Sequence, residues 1–178
     1  MVSENITRRR DEYLQLMRDI GKQAPDGIAR SVAETQQALM ALLTSAPESS
    51  VLARPALDEW CLRDLALHAA FTERLISRLV HYMARGSMPP PEDLAGAGIG
   101  MMPEGDVRAY ADVLSHLGAM NDELLDAVRN LPENPNTEML VPHLLFGPLN
   151  CLEWAGFQRV HDTDHIQHAR QILAAVAG

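Results

Sequence analysis

The stretch EWAGFQRVHDTDHIQHARQI, Glu153 to Ile172, decides how this chain is read. Wound at about 100° per residue, it sets Trp154, Phe157, His161, His165, His168 and Ile172 within about 40° of one line. Apolar residues at both ends mark that stripe as facing a core. Three histidines fill its middle, where a helix ordinarily buries leucine. The pattern predicts a helix from Cys151 to Val176, with Asn150 as its cap and Glu153 at the N3 position of a capping box.

Outward from this helix, four more segments have helical periodicity. NITRRRDEYLQLMRDI carries Ile6, Tyr13, Met17 and Ile20 on one side, and Gly21 and Pro25 end it. Further helices are expected over Ile28–Leu43, Cys61–Ala84 and Val107–Asn130, the last with Asp106 as N-cap. Two connections are long: Gly86–Gly105, rich in Pro and Gly, and the more apolar Leu131–Leu149. Loops of that length cross a bundle end or cover a site. No alternating run is long enough for a sheet. The expectation is an all-α protein: an antiparallel four-helix bundle with long crossover connections and an extra N-terminal helix. Residues 1–178 form a single domain in this reading, with 1–25 as a helical arm.

Composition narrows the function classes. A chain of 178 residues suits one compact domain, and 47% hydrophobic content excludes disorder. A net charge of −9 argues against a nucleic-acid groove, which needs clustered Lys and Arg. Aromatics at 4% supply no stacking platform for single strands. Cys61 and Cys151 form no CxxC pair and read as buried free thiols in a reducing compartment. The N-terminus lacks a secretory h-region, and no run approaches the ~18 apolar residues of a membrane span. A soluble, cytoplasmic protein is expected.

His68 repeats the anomaly on a second helix. Cys61, Leu65, Phe71, Thr72, Leu75 and Leu79 all fall within about 60° of it. Two helices thus aim imidazoles at the interior, where an unpartnered polar group costs a few kcal/mol. Buried histidines can bond a carboxylate or a carbonyl. A divalent cation can instead satisfy several at once: His161 and His165, about 6 Å apart along the axis, can converge on one ion, and His68 can supply a third nitrogen. Three protein ligands with room for water is the open arrangement of catalytic metals. His168 lies about 10 Å from His161 along the axis, which suits a pocket role better. Asp64 and Asp164 are candidates to orient the ligands. His81, His116 and His143 read as structural or solvated.

At these residues the sequence resembles the DinB-like, or YfiT-like, family. EWCLRDLALHAAFTE (Glu59–Glu73) looks like the family's Trp, helix start and following His, and the stretch quoted first looks like its closing helix with HxxxH. The resemblance spans roughly Ile28 to Val176. It implies a four-helix bundle with crossover connections and a metal held by His68, His161 and His165, with nickel or zinc as the suggested ion. There are departures: Cys61 stands where Ser or Thr is common, His168 where Gln is common, and the N-terminal helix lies outside the family core. The resemblance implies a metal-dependent enzyme, either a transferase or isomerase using a low-molecular-weight thiol or a hydrolase, acting on a small-molecule substrate. The alternative is a non-catalytic, stress-related bundle that binds metal or a small ligand. The Tyr13/Met17/Ile20 face and Met101-Met102 suggest packing against a partner in a homodimer.

Overall fold

The computed structural model describes residues 9–94 and 106–176. Within them lie α1 (Arg10–Gly21), α2 (Pro25–Thr44), the one-turn α3 (Glu48–Val51), α4 (Leu62–Met83), the one-turn α5 (Pro91–Leu94), α6 (Tyr110–Arg129) and α7 (Cys151–Val176). A short hairpin, β1 (Val141–His143) and β2 (Gly147–Leu149), precedes α7. The fold is a four-helix bundle of α2, α4, α6 and α7, with α1 laid against α7.

Helix ends differ from the sequence reading where turn chemistry decides them. Pro25 does not terminate α1. It opens α2 at the first helical position, where its missing N–H costs nothing and its fixed φ suits a helix. Asp106 does not cap α6, which begins at Tyr110 after Ala109. Its carboxylate binds Arg108 Nη2 at 2.6 Å and Arg63 Nη2 at 3.2 Å, anchoring the approach to α6 on α4. Ile6 and Met101-Met102 lie outside the described residues, as does much of the Gly86–Gly105 connection.

The order around the bundle is α2, α6, α4, α7, so α2 faces α4 and α6 faces α7 across the diagonals. One apolar cluster joins Ile28 and Val32 of α2 to Leu79, Val80 and Met83 of α4, Leu124 and Val128 of α6, and Trp154 and Ala155 of α7. The other joins Leu39 and Leu43 to Leu62 and Leu65, Val113 and Leu117, and Ala169 and Ile172. The first therefore gathers the start of α2 and α7 with the end of α4 and α6. Accordingly α2 and α7 run one way and α4 and α6 the other, so the all-antiparallel expectation is corrected. Arg85, just past the end of α4, donates to Asn130 O, just past the end of α6, which shows the same direction. The long connection over residues 84–109 permits this, since only a short loop forces neighbours to be antiparallel.

The hairpin was not foreseen. Val141 pairs with Leu149 and His143 with Gly147, whose φ of 77° is left-handed backbone suited to glycine. Its strands are three residues long, too short for alternation to register. Phe146 and Leu149 drop into the core, and Trp154 Nε1 donates to Val141 O.

Helix α1 buries Tyr13, Met17 and Ile20 in the molecule's own core, not on an open face. It crosses α7 at Gly156, where an added Cβ would stand 2.7 Å from Met17 O and 3.1 Å from Met17 Cα. Arg18 pairs with Glu153, and Arg10 donates to Leu145 O of the hairpin. No described helix is long and apolar enough to cross a membrane.

Candidate metal centre

The two apolar clusters meet at a polar slab halfway along the bundle, and the histidines lie in it. Their helices are held firmly at the near ends. Asn150 Oδ1 accepts the N–H of Leu152 and of Glu153, both at 3.0 Å, while Glu153 Oε2 accepts the N–H of Asn150. This is the capping box read from the sequence. At the start of α4, Asp64 Oδ2 accepts the Cys61 N–H at 3.2 Å and pairs with Arg54 at 2.6 Å. Asp64 is therefore engaged as a cap and ion-pair partner. Cys61 and Cys151 are both free and buried.

From these anchors α7 brings His161 and His165 to face His68 of α4. His165 Nε2 stands 3.0 Å from His161 Nε2, which stands 3.3 Å from His68 Nε2. One nitrogen from each ring lies within 4.8 Å of the others. An ion bonded to imidazole nitrogen at about 2.0–2.1 Å has ligand-to-ligand edges of about 3.0–3.4 Å. The two short separations fit that polyhedron, so the three residues could hold a metal ion.

The electrostatics agree. The three rings are 4%, 9% and 6% exposed. Burial, then His68 and His143, holds His161 well below the usual histidine range; burial, then His161 and His68, does the same for His165. Both are therefore neutral and offer a lone pair. Nδ1 of each is buried with no hydrogen-bond partner among the described residues.

Aromatic rings wall the cluster. Trp60 lies 4.7 Å from His68 and 6.4 Å from His165. Phe157 lies 5.5 Å from His161. Thr72 Oγ1 is 3.5 Å from His68 Nε2. His168 stays out of the nitrogen cluster and stacks on Trp60 at 5.8 Å. Burial lowers its pKa, while nearby Asp164 opposes the shift. His81 is half-buried beside Arg85 and His116 half-buried beside Phe71. His143 is structural: its Nδ1 accepts the N–H of Leu145 and of Phe146, and burial pushes its pKa down to about 4.

Sequence reasoning missed the other half of the slab. Glu73 and Asp162 are 1% and 0% exposed and sit among Thr35, Gln36 and Gln158. Burial, then the charge of Asp162, raises the Glu73 pKa far above the carboxylate range. Burial pushes Asp162 up to about 7. A signal existed. Ala155, Gln158, Asp162 and Ala169 share a second stripe of α7 about 60° wide, and its small residues imply close packing.

The sequence pattern of the DinB superfamily matches residues 31–169. No curated protein matches the chain. Among solved structures it is similar to TT2238, a four-helix bundle protein, at 23% identity and a TM-score of 0.62, covering 83% of this chain and 99% of that one. It is also similar to YfiT from Bacillus subtilis, described as "a probable metal-dependent hydrolase with an unusual four-helix bundle topology", at 14% identity and a TM-score of 0.58, covering 88% and 89%.

Proposed function

The chain belongs to the DinB superfamily, and we propose that it is a metal-dependent enzyme whose divalent ion is held by His68, His161 and His165. The observation that carries this is the meeting of three Nε2 atoms, two of them on rings whose Nδ1 has no hydrogen-bond partner among the described residues. Zinc and nickel suit an all-imidazole donor set. The description of YfiT favours hydrolysis over thiol-dependent transfer or isomerisation, the other chemistry proposed for such a site. The ion would supply Lewis acidity, drawing the pKa of water or of a low-molecular-weight thiol toward neutrality.

The chain's own residues would do the rest. His161 and His165 stay neutral because burial disfavours their charged forms, so they do not lose their lone pairs to protons near neutral pH. Trp60 beside His68 and Phe157 beside His161 would keep water from the cluster, and the partly exposed Trp60 would offer flat apolar surface to a small-molecule substrate. Thr72 Oγ1 stands close enough to offer a hydrogen bond beside His68. A cytoplasmic homodimer completes the proposal.

The depth of the site favours a second reading, a non-catalytic metal centre, because all three ligands are more than nine-tenths buried. Chelation separates the two. In a catalytic centre, removing the ion abolishes hydrolysis of ester and amide substrates and leaves the helices folded. In a structural centre it melts them.

A further inference from the structure

The polar slab contains an assembly that the metal reading does not use. Gln158 of α7 is completely buried and spends both amide hydrogens on carboxylates, reaching Glu73 Oε1 at 2.9 Å and Asp162 Oδ1 at 2.7 Å. Gln36, from diagonally opposite α2, donates to the two Glu73 oxygens at 3.1 and 2.9 Å. Asn121 of α6, with its amide turned so that nitrogen faces Glu73, donates at 3.0 Å. Glu73 of α4 is thus the point where amides from the other three bundle helices converge.

Gln158 also has a fixed relation to the histidines. His161 and His165 follow it by three and seven residues, so all three lie within about 60° on α7. The apolar contacts above and below the slab pack the helices closely, while the contacts of α7 with α4 inside the slab include a directional hydrogen bond. A hydrogen bond fails beyond about 3.5 Å. The Gln158–Glu73 bond therefore ties the azimuth and height of α7 directly to α4, the two helices that must present their imidazoles to one centre.

We propose that Gln158 is the positioning residue of the histidine centre, an inference that rests on the metal reading. Gln36 supplies the control, because it makes the same kind of buried bond to the same carboxylate from a helix that carries no candidate ligand. Gln158→Met and Gln36→Met each replace an amide by a thioether of similar length. Zinc affinity and the imidazole nitrogen resonances of the metal-free protein are measured for both, at a temperature where both are folded. Gln158→Met is expected to lose ~10–100-fold in zinc affinity and to shift the Nε2 resonances of His161 and His165. Gln36→Met is expected to keep wild-type values. Equal losses in the two variants, or none in Gln158→Met, overturn the assignment. If Gln158→Met fails to fold, Gln158→Asn, one methylene too short to span both carboxylates, is read in its place. A wild-type protein that does not bind zinc refutes the metal reading, and the imidazole resonances alone then decide the role of Gln158.

Discussion

His68 Nε2 and His161 Nε2 stand 3.3 Å apart although 93 residues separate them in the chain. Without an ion, the single hydrogen-bonding position of His161 Nε2 must serve both neighbouring imidazole nitrogens, at 3.3 and 3.0 Å. His161 Nε2 faces two other imidazole nitrogens, and its Nδ1 has no hydrogen-bond partner among the described residues. A metal-free interior would be better served by an apolar side chain. His161→Leu is therefore expected to stabilise the metal-free protein by ~1–3 kcal/mol while removing metal binding. Urea unfolding in the presence of chelator checks the first effect. A stability loss of similar size would mean that the imidazole is already satisfied without an ion.

Gly156→Ala sets helix propensity against packing. Alanine is better than glycine inside a helix by up to about 1 kcal/mol. Here its methyl would meet Met17 O at 2.7 Å, a backbone contact that cannot rotate away. Overpacking costs of ~1–3 kcal/mol then win, and α1 is pushed off α7. Denaturant midpoints should fall, and amide exchange should quicken in Arg10–Gly21 before it does elsewhere.

His143 gives a pH dependence of known sign. Its folded pKa of about 4 lies below the ordinary value near 6.5, so the unfolded chain binds the proton first. The stability it contributes is fully present above pH 6.5 and is lost as pH falls toward about 4. His143→Asn retains an acceptor for the N–H groups of Leu145 and Phe146 but cannot titrate. Thermal unfolding of the metal-free variant should show a shallower fall across this window than wild type.

Asp162 acts in the opposite sense. Its folded pKa is raised to about 7, so its contribution is fully present below the ordinary carboxylate range near 4 and is lost as pH rises through about 7. Asp162→Asn keeps an oxygen for Gln158 Nε2 and removes the titration. The variant should gain on wild type, by on the order of a few kcal/mol, between pH 4 and pH 8. Parallel stability curves would place the proton elsewhere in the slab.

Much of the architecture was legible because it rests on local periodicity. The stripe Trp154–Ile172 and its capping box lie within one helix, and both appear in the structure as read. The histidine cluster was legible for the same reason, since a polar residue set in an apolar stripe shows on a helical wheel. Helix direction was not legible. Whether α6 runs parallel to α4 depends on a connection whose sequence says only that it is long. Asp64 looked like an aid to His68 because the wheel shows azimuth but not the reach of Arg54 from the connection that precedes α4. Glu73 was hidden because its partners Gln36, Asn121 and Gln158 come from three other helices, and no single-helix pattern joins them.

The central claim is tested most directly by metal stoichiometry. Protein prepared without a polyhistidine tag is incubated with zinc or nickel, desalted and subjected to elemental analysis beside His68→Ala and His161→Ala. The account predicts one retained ion per wild-type chain and none in either variant, with helical content unchanged. Wild-type protein that retains no ion, or a His68→Ala variant that keeps its ion, would contradict it.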